Sequence, residues 1–235
     1  MVIPAKYQYA YNFYDNDTAF VSIDGKAGLI DETGAYAAEM KYVGIDPFME
    51  NGLARIGDIK NGCYVYGYIN RKGATVVQPQ YHTAHEFTKN GLAVVGIYEG
   101  EYGYNGKYGY INTKGEVVIP LQFDGARDFA SNGLAMIFQD GEYGYINEKG
   151  KIVIAPKYHY AKDFANGLAC VKKDGKWGYI NEFGEVVIDF RFEYASSFFD
   201  DGYAVVKVDG LYGVINKKGK YVIKPKFDSI WHNSN

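Results

Sequence analysis

Cysteine is almost missing from this 235-residue chain: Cys63 and Cys170 stand alone, with no CxxC pair and no histidine at zinc-finger spacing. That excludes a disulfide framework and a structural zinc site, and it suits a reducing compartment. Long apolar runs are missing too. No stretch approaches the roughly 18 apolar residues of a membrane helix, and the opening MVIPAKYQYAYNFY lacks the basic-then-apolar layout of a signal peptide. The chain therefore reads as soluble, without membrane insertion, and as cytoplasmic; a secreted or envelope location stays open for a processed or truncated form. Nor is there a block of like charge: the net charge is −3 with acids and bases interspersed, which argues against a nucleic-acid partner. Proline is scarce at six residues, against 24 Tyr, 14 Phe and 29 Gly. Aromatics and glycine in that ratio predict short strands and tight turns.

One phrase recurs six times: AGLIDETG (27–34), YGYINRKG (66–73), YGYINTKG (108–115), YGYINEKG (143–150), WGYINEFG (177–184) and YGVINKKG (212–219). Its first glycines, Gly28, Gly67, Gly109, Gly144, Gly178 and Gly213, are 39, 42, 35, 34 and 35 residues apart. A phrase such as DFANGLACV (163–171) precedes the kernel and a run such as VVIPLQF (117–123) follows it. The whole chain, 1–235, is thus a single repeat domain.

Each unit reads as β-structure. Leu168–Val171, Trp177–Asn181 and Val186–Ile188 are short runs bounded by turn residues, too short for helices. The pairs Asp24-Gly25, Asn61-Gly62, Asn105-Gly106, Asp140-Gly141, Asp174-Gly175 and Asp209-Gly210 suit the positive φ angles of two-residue hairpin turns. Asn181-Glu-Phe-Gly184 suits a turn with an Asn acceptor and a left-handed glycine. A three-stranded antiparallel meander follows. The remaining phrase, as in Phe123–Phe129, is a fourth strand, an anchored loop or one helical turn.

A lone meander cannot bury its aromatic face, so the units must stack. The expectation is an all-β array of six units forming a six-bladed β-propeller, with an open superhelix or solenoid as the alternative. Val2–Tyr7 matches the unit's last strand, so a terminal strand could complete a ring or cap an open end.

The W/Y-G-Y-I-N-x-x-G kernel, with NGLA before it and V-V-I-x-P-x-F/Y after it, resembles the bacterial WG-repeat family, named for a Trp-Gly pair that stands here as Trp177-Gly178. The likeness covers essentially the whole chain. Only one copy carries Trp; the others have Tyr, or Ala27 in a first copy that looks like a capping unit. The resemblance implies a non-catalytic β-repeat binding or scaffolding module, an architecture without a specified ligand.

Catalysis would need residues that break the repeat. GxSxG, HExxH and GxxxxGK[ST] are all missing. His82 and His85 in YHTAHEF would need a third ligand to hold a metal, and they read as loop histidines. Pairing Cys63 with a histidine as a nucleophile has nothing positive behind it. Asp15-Asn16-Asp17 lacks the glycine and distal Glu of a calcium loop, and Asp200-Asp201 reads as solvated acids before a strand. No catalytic residue, metal or cofactor is assigned. Tyr66, Tyr108, Tyr143, Trp177 and Tyr212 are expected to form a ladder packed between units.

The informative irregularity is length. Residues 57–66 and 96–107 enlarge the hairpins of two adjacent units, and such insertions map to one face. Tyr64, Tyr98, Tyr102 and Tyr104 are predicted to supply aromatic contact area there, with Lys60, Glu99 and Glu101 as a polar rim. The function expected is non-catalytic binding of a protein or peptide. The alternatives are a carbohydrate or cell-envelope binder using exposed aromatics, and an enzyme with its site at the channel mouth.

Overall fold

The computed structural model describes residues 6–13, 18–99 and 105–230. They form six four-stranded antiparallel sheets, and no helix occurs among them. The chain divides into two compact units, Met1–Gln122 and Phe123–Asn235. The first unit carries three sheets and the second three more.

The fifth sheet shows the plan: Tyr160–Ala161, Ala169–Lys173, Lys176–Ile180 and Val186–Phe192, in sequential order. The segment that sequence alone left open supplies the first of these, a two-residue strand followed by a loop that buries Phe164. The meander thus gains a fourth strand. Asp174 and Gly175 have φ of 48° and 77°, the two left-handed residues of a tight hairpin turn. The same holds at Asp24-Gly25, Asn61-Gly62, Asp140-Gly141 and Asp209-Gly210.

Asn105-Gly106 departs from this expectation. Asn105 pairs with Glu99 and Gly106 with Tyr98 inside the ladder, so neither forms the turn. A Cβ on Gly106 would lie 2.7 Å from Tyr98 Cδ1; the glycine is there for close approach, not for a left-handed backbone.

Three kernel positions have separate physical duties. The glycine sits opposite a bulge: Trp177 pairs with Phe192 and Tyr179 with Ile188, so Gly178 faces three residues of the last strand. A Cβ there would stand 2.7 Å from the Ile188 carbonyl, and one on Gly67 2.3 Å from that of Val77. The second aromatic is buried and donates its hydroxyl to the next sheet: Tyr68 to His85 O at 2.5 Å, Tyr145 to Lys162 O at 2.7 Å and Tyr179 to Ser196 O at 2.8 Å. Each such bond contributes about 1 kcal/mol and satisfies a loop carbonyl. The asparagine closes the second turn, Asn181 Oδ1 accepting from Phe183 N and Glu185 N at 3.0 and 2.9 Å.

Neighbouring sheets within each unit pack face to face. Between the second and third sheets lie Tyr68, Val77, Tyr81, Ala84, Ala93, Val95 and Ile111. Between the fifth and sixth lie Tyr179, Ile188, Phe192, Phe198, Val206 and Ile215, with Trp177 half-buried at the margin. Trp177 therefore packs between sheets, as the repeat reading expects.

Candidate functional site

The register draws one line of residues across every sheet, at the level of the first kernel residue. In the fifth sheet it reads Tyr160, Lys172, Trp177, Phe192 and in the sixth Tyr194, Lys207, Tyr212, Phe227. In the second sheet it reads Gly44, Gly57, Tyr66, Tyr81, and in the third Thr83, Gly96, Tyr108. Two sheets of the second unit thus carry a tyrosine on the short first strand. The second and third sheets carry a gap there.

The lengthened hairpins fill that gap. In the second sheet the hairpin strands Leu53–Lys60 and Cys63–Asn70 run eight residues each, against five each in the fifth. Tyr64 folds back from the extension: a Cβ on Gly57 would lie 2.4 Å from its Oη and one on Gly44 2.6 Å from the same atom. Its ring is 5.2 Å from that of Tyr66, and partial burial raises its phenol pKa above the ordinary value. In the third sheet, Leu92–Glu99 and Asn105–Asn112 form the long hairpin. Tyr98 meets Thr83 Oγ1 at 2.7 Å and Tyr108 Oη at 3.4 Å, and it stacks on His82 at 5.3 Å.

Strand alternation then decides which side chains face the space between the two long hairpins. Ile59 pairs with Tyr64 on the same face as Tyr66 and Tyr68, which looks toward the third sheet. Ile97 shares the face of Val95, which looks back toward the second sheet. Ile59 is 55 % exposed, Tyr64 41 % and Ile97 38 %. The apolar seam between these sheets therefore continues outward as an uncovered strip on the hairpins.

Of the predicted contact residues, the structure brings Tyr64 and Tyr98 to the same level of adjacent sheets, each laid against its own sheet. Lys60 pairs with Cys63 on the opposite face of its hairpin, the side where Asp58 meets Lys26 at 3.9 Å. Glu99 ends its strand. Glu101, Tyr102 and Tyr104 lie outside the described residues, as do Val2–Ala5 and Asp15–Asp17. Ile59 and Ile97 were not singled out from sequence. The signal was available, because each continues the alternation of its core-facing strand by two residues beyond the last buried position.

The other candidates find structural duties. His82 Nδ1 accepts the Tyr98 amide at 3.1 Å, and the His85 carbonyl receives Tyr68. Among the described residues no group of three His, Cys, Asp or Glu could hold a metal. Cys63 is exposed, whereas burial pushes the Cys170 thiol up to about 12. The first unit also has an open cavity of about 1240 Å³ lined by Phe48, Met49 and Phe87, with the Arg71 guanidinium 5.2 Å over Phe48. No described helix is long and apolar enough to cross a membrane.

The family model of the WG containing repeat matches residues 1–26, 28–57, 66–99, 108–143, 143–177, 177–212 and 212–235. The chain belongs to the WG-repeat family. Each of the five matches between 28 and 212 joins the last two strands of one sheet to the first two of the following sheet, while the first match covers the first two strands of the first sheet and the last match the final two of the sixth. That offset ties successive sheets together covalently through each of these five repeats. Curated proteins offer no sequence match.

Among solved structures, a eukaryotic initiation factor matches with a TM-score of 0.61 at 9 % identity, over 97 % of this chain and 67 % of that one. Puromycin hydrolase follows at 0.44 and 11 %, over 97 % and 48 %. A protein of unknown function from Bacteroides caccae gives 0.31 and 16 %, over 85 % and 89 %. The WG-repeat chain thus spans about two thirds of the first and about half of the second. At such identities the initiation-factor match speaks to fold alone, an all-β, propeller-like array of four-stranded sheets.

Proposed function

We propose that this WG-repeat protein is a non-catalytic binding or scaffolding module that engages a protein or peptide through the two long hairpins of its first unit. The observation that carries this reading is the uncovered strip of Ile59, Tyr64 and Ile97 on the facing sides of adjacent hairpins. Extending two hairpins and leaving apolar side chains on them exposes hydrophobic area, a cost that a partner's burial of the strip offsets. Ring faces are poorly placed for a sugar, since Tyr64 and Tyr98 lie against their own sheets. That favours a polypeptide over a carbohydrate.

The exposed Cys63 makes a direct test possible. A photo-crosslinking maleimide should label Cys63 and spare the buried Cys170, placing the crosslinker at the tip of the second sheet's hairpin, one residue from Tyr64 and within a linker's reach of the strip. Irradiation in extract of the native cell should yield a discrete protein adduct, lost in the Ile59→Glu/Ile97→Glu variant. An adduct that persists undiminished in that variant would overturn the assignment of this surface.

A further inference from the structure

We propose a second docking site, independent of the long hairpins: the hairpin end of the fifth sheet, around Trp177, takes an acidic segment of a partner polypeptide.

The first observation is a pairing that folding does not ask for. Lys173 and Lys176 stand directly opposite each other beside the turn, and like charges in that relation are destabilising. The corresponding pairs elsewhere are Ile23 with Lys26, Lys60 with Cys63, Gln139 with Glu142 and Val208 with Leu211. None of these repeats a charge.

The second observation is the setting of Trp177, the family's namesake tryptophan in this chain. The Nζ atoms of Lys162 and Lys172 lie 5.5 and 5.9 Å from its ring. Lys162 also sits 5.1 Å from Tyr194 and donates to Ala195 O at 3.0 Å, and Lys172 sits 5.6 Å from Tyr160. Both lysines are half-buried, and among the described residues neither meets a carboxylate. Ring faces and one carbonyl hold these ammonium groups in place without neutralising them.

Four lysines thus stand at one hairpin end, Lys162 and Lys172 on the face of Trp177 and Lys173 and Lys176, by strand alternation, on the opposite face. Tyr160 and Tyr194, 56 % and 40 % exposed, add apolar area beside them. Carboxylates complement the ammonium groups and an extended chain can lie on the rings. A neutral sugar would have to displace the lysines from the Trp177 face.

The test uses decaglutamate as the probe and Trp177 fluorescence as the readout, in a Trp231→Phe background that leaves Trp177 as the sole tryptophan. Titration at low salt should saturate, and binding should weaken with added NaCl. The Lys162→Gln/Lys172→Gln variant should bind about tenfold more weakly, since two charge-assisted contacts are lost. Lys176→Glu replaces the repulsive pair with an attractive one, so it should hold or raise Tm while weakening decaglutamate binding; a residue with only a structural role would not give opposite signs. That variant also carries the test if the double lysine variant folds poorly. The proposal is overturned by a response that never saturates, by lysine variants that bind as the parent does, or by hyaluronan oligosaccharides binding more tightly than the peptide.

Discussion

The second sheet and the fifth are built from the same repeat, yet they complete their aromatic row in opposite ways. In the fifth, the first strand supplies Tyr160 and the second Lys172, so the row closes from within a short hairpin. In the second, both positions are glycine, and Tyr64 bends back from an extended hairpin to occupy the space. The third sheet repeats that solution with Tyr98 against Thr83 and Gly96's row. A packing requirement common to these sheets is therefore met by residues at different points of the chain. Lengthening a hairpin and thinning the row to glycine belong together, because neither would pack without the other.

The sharpest test of what the two sheets share is the kernel glycine. Gly67→Ala and Gly178→Ala each drive a Cβ to within 2.3 and 2.7 Å of a backbone carbonyl, and each should cost about 3 kcal/mol or more in urea unfolding. An alanine tolerated in one sheet and not the other would show that the bulge is a feature of that sheet alone.

Alkali should come next in size. Burial pushes the Cys170 thiol up to about 12 from an ordinary value of about 9, and raises the Tyr145 and Tyr179 phenols well above 10. The unfolded chain releases these protons first, so the stability they contribute is complete below about pH 9 and falls as pH rises toward the folded values. The loss is about 1.4 kcal/mol per pH unit for each group. Cys170→Ala should flatten the first part of that decline, between pH 9 and 10, in denaturation measured across pH.

The comparison itself breaks or holds on Gly57. Gly57→Ala should cost about 2 kcal/mol by expelling Tyr64, whereas Lys172→Ala at the matching position should change stability by less than about 0.5 kcal/mol. The double variant Gly57→Ala/Tyr64→Ala should lose less than the two single variants summed, a coupling visible in a double-mutant cycle. Strict additivity would mean that Tyr64 does not rely on the notch.

The smallest effect should be the most uniform. Tyr68→Phe and Tyr179→Phe each remove one hydroxyl bond to the next sheet and should cost about 1 kcal/mol in either unit. Values that differ between units would show that the shared staple carries unequal weight.

The strands, turns and repeat were legible because their causes are local. An Asx-Gly pair carries its own backbone preference, and Asn181 bonds to amides two and four residues on. Three features were not legible for the converse reason. The two-residue strand is too short to show a period. Asn105-Gly106 has the composition of a turn, yet Gly106 is required by the ring of Tyr98 lying over it. Tyr64 and Tyr98 were predicted as contact residues on the enlarged hairpins, and their being the rings that complete each sheet's row depends on glycines up to 20 residues away in the chain.

By itself, then, the sequence determined that this is a six-fold WG-repeat β-array and where its hairpins are longest, since period, turn chemistry and spacing are properties of neighbouring residues. Only the tertiary structure decided which side chains those long hairpins keep for the fold and which they leave uncovered. That choice rests on what stands across the sheet from each residue, and a glycine reads the same in sequence whether it frees a turn or makes room for a ring.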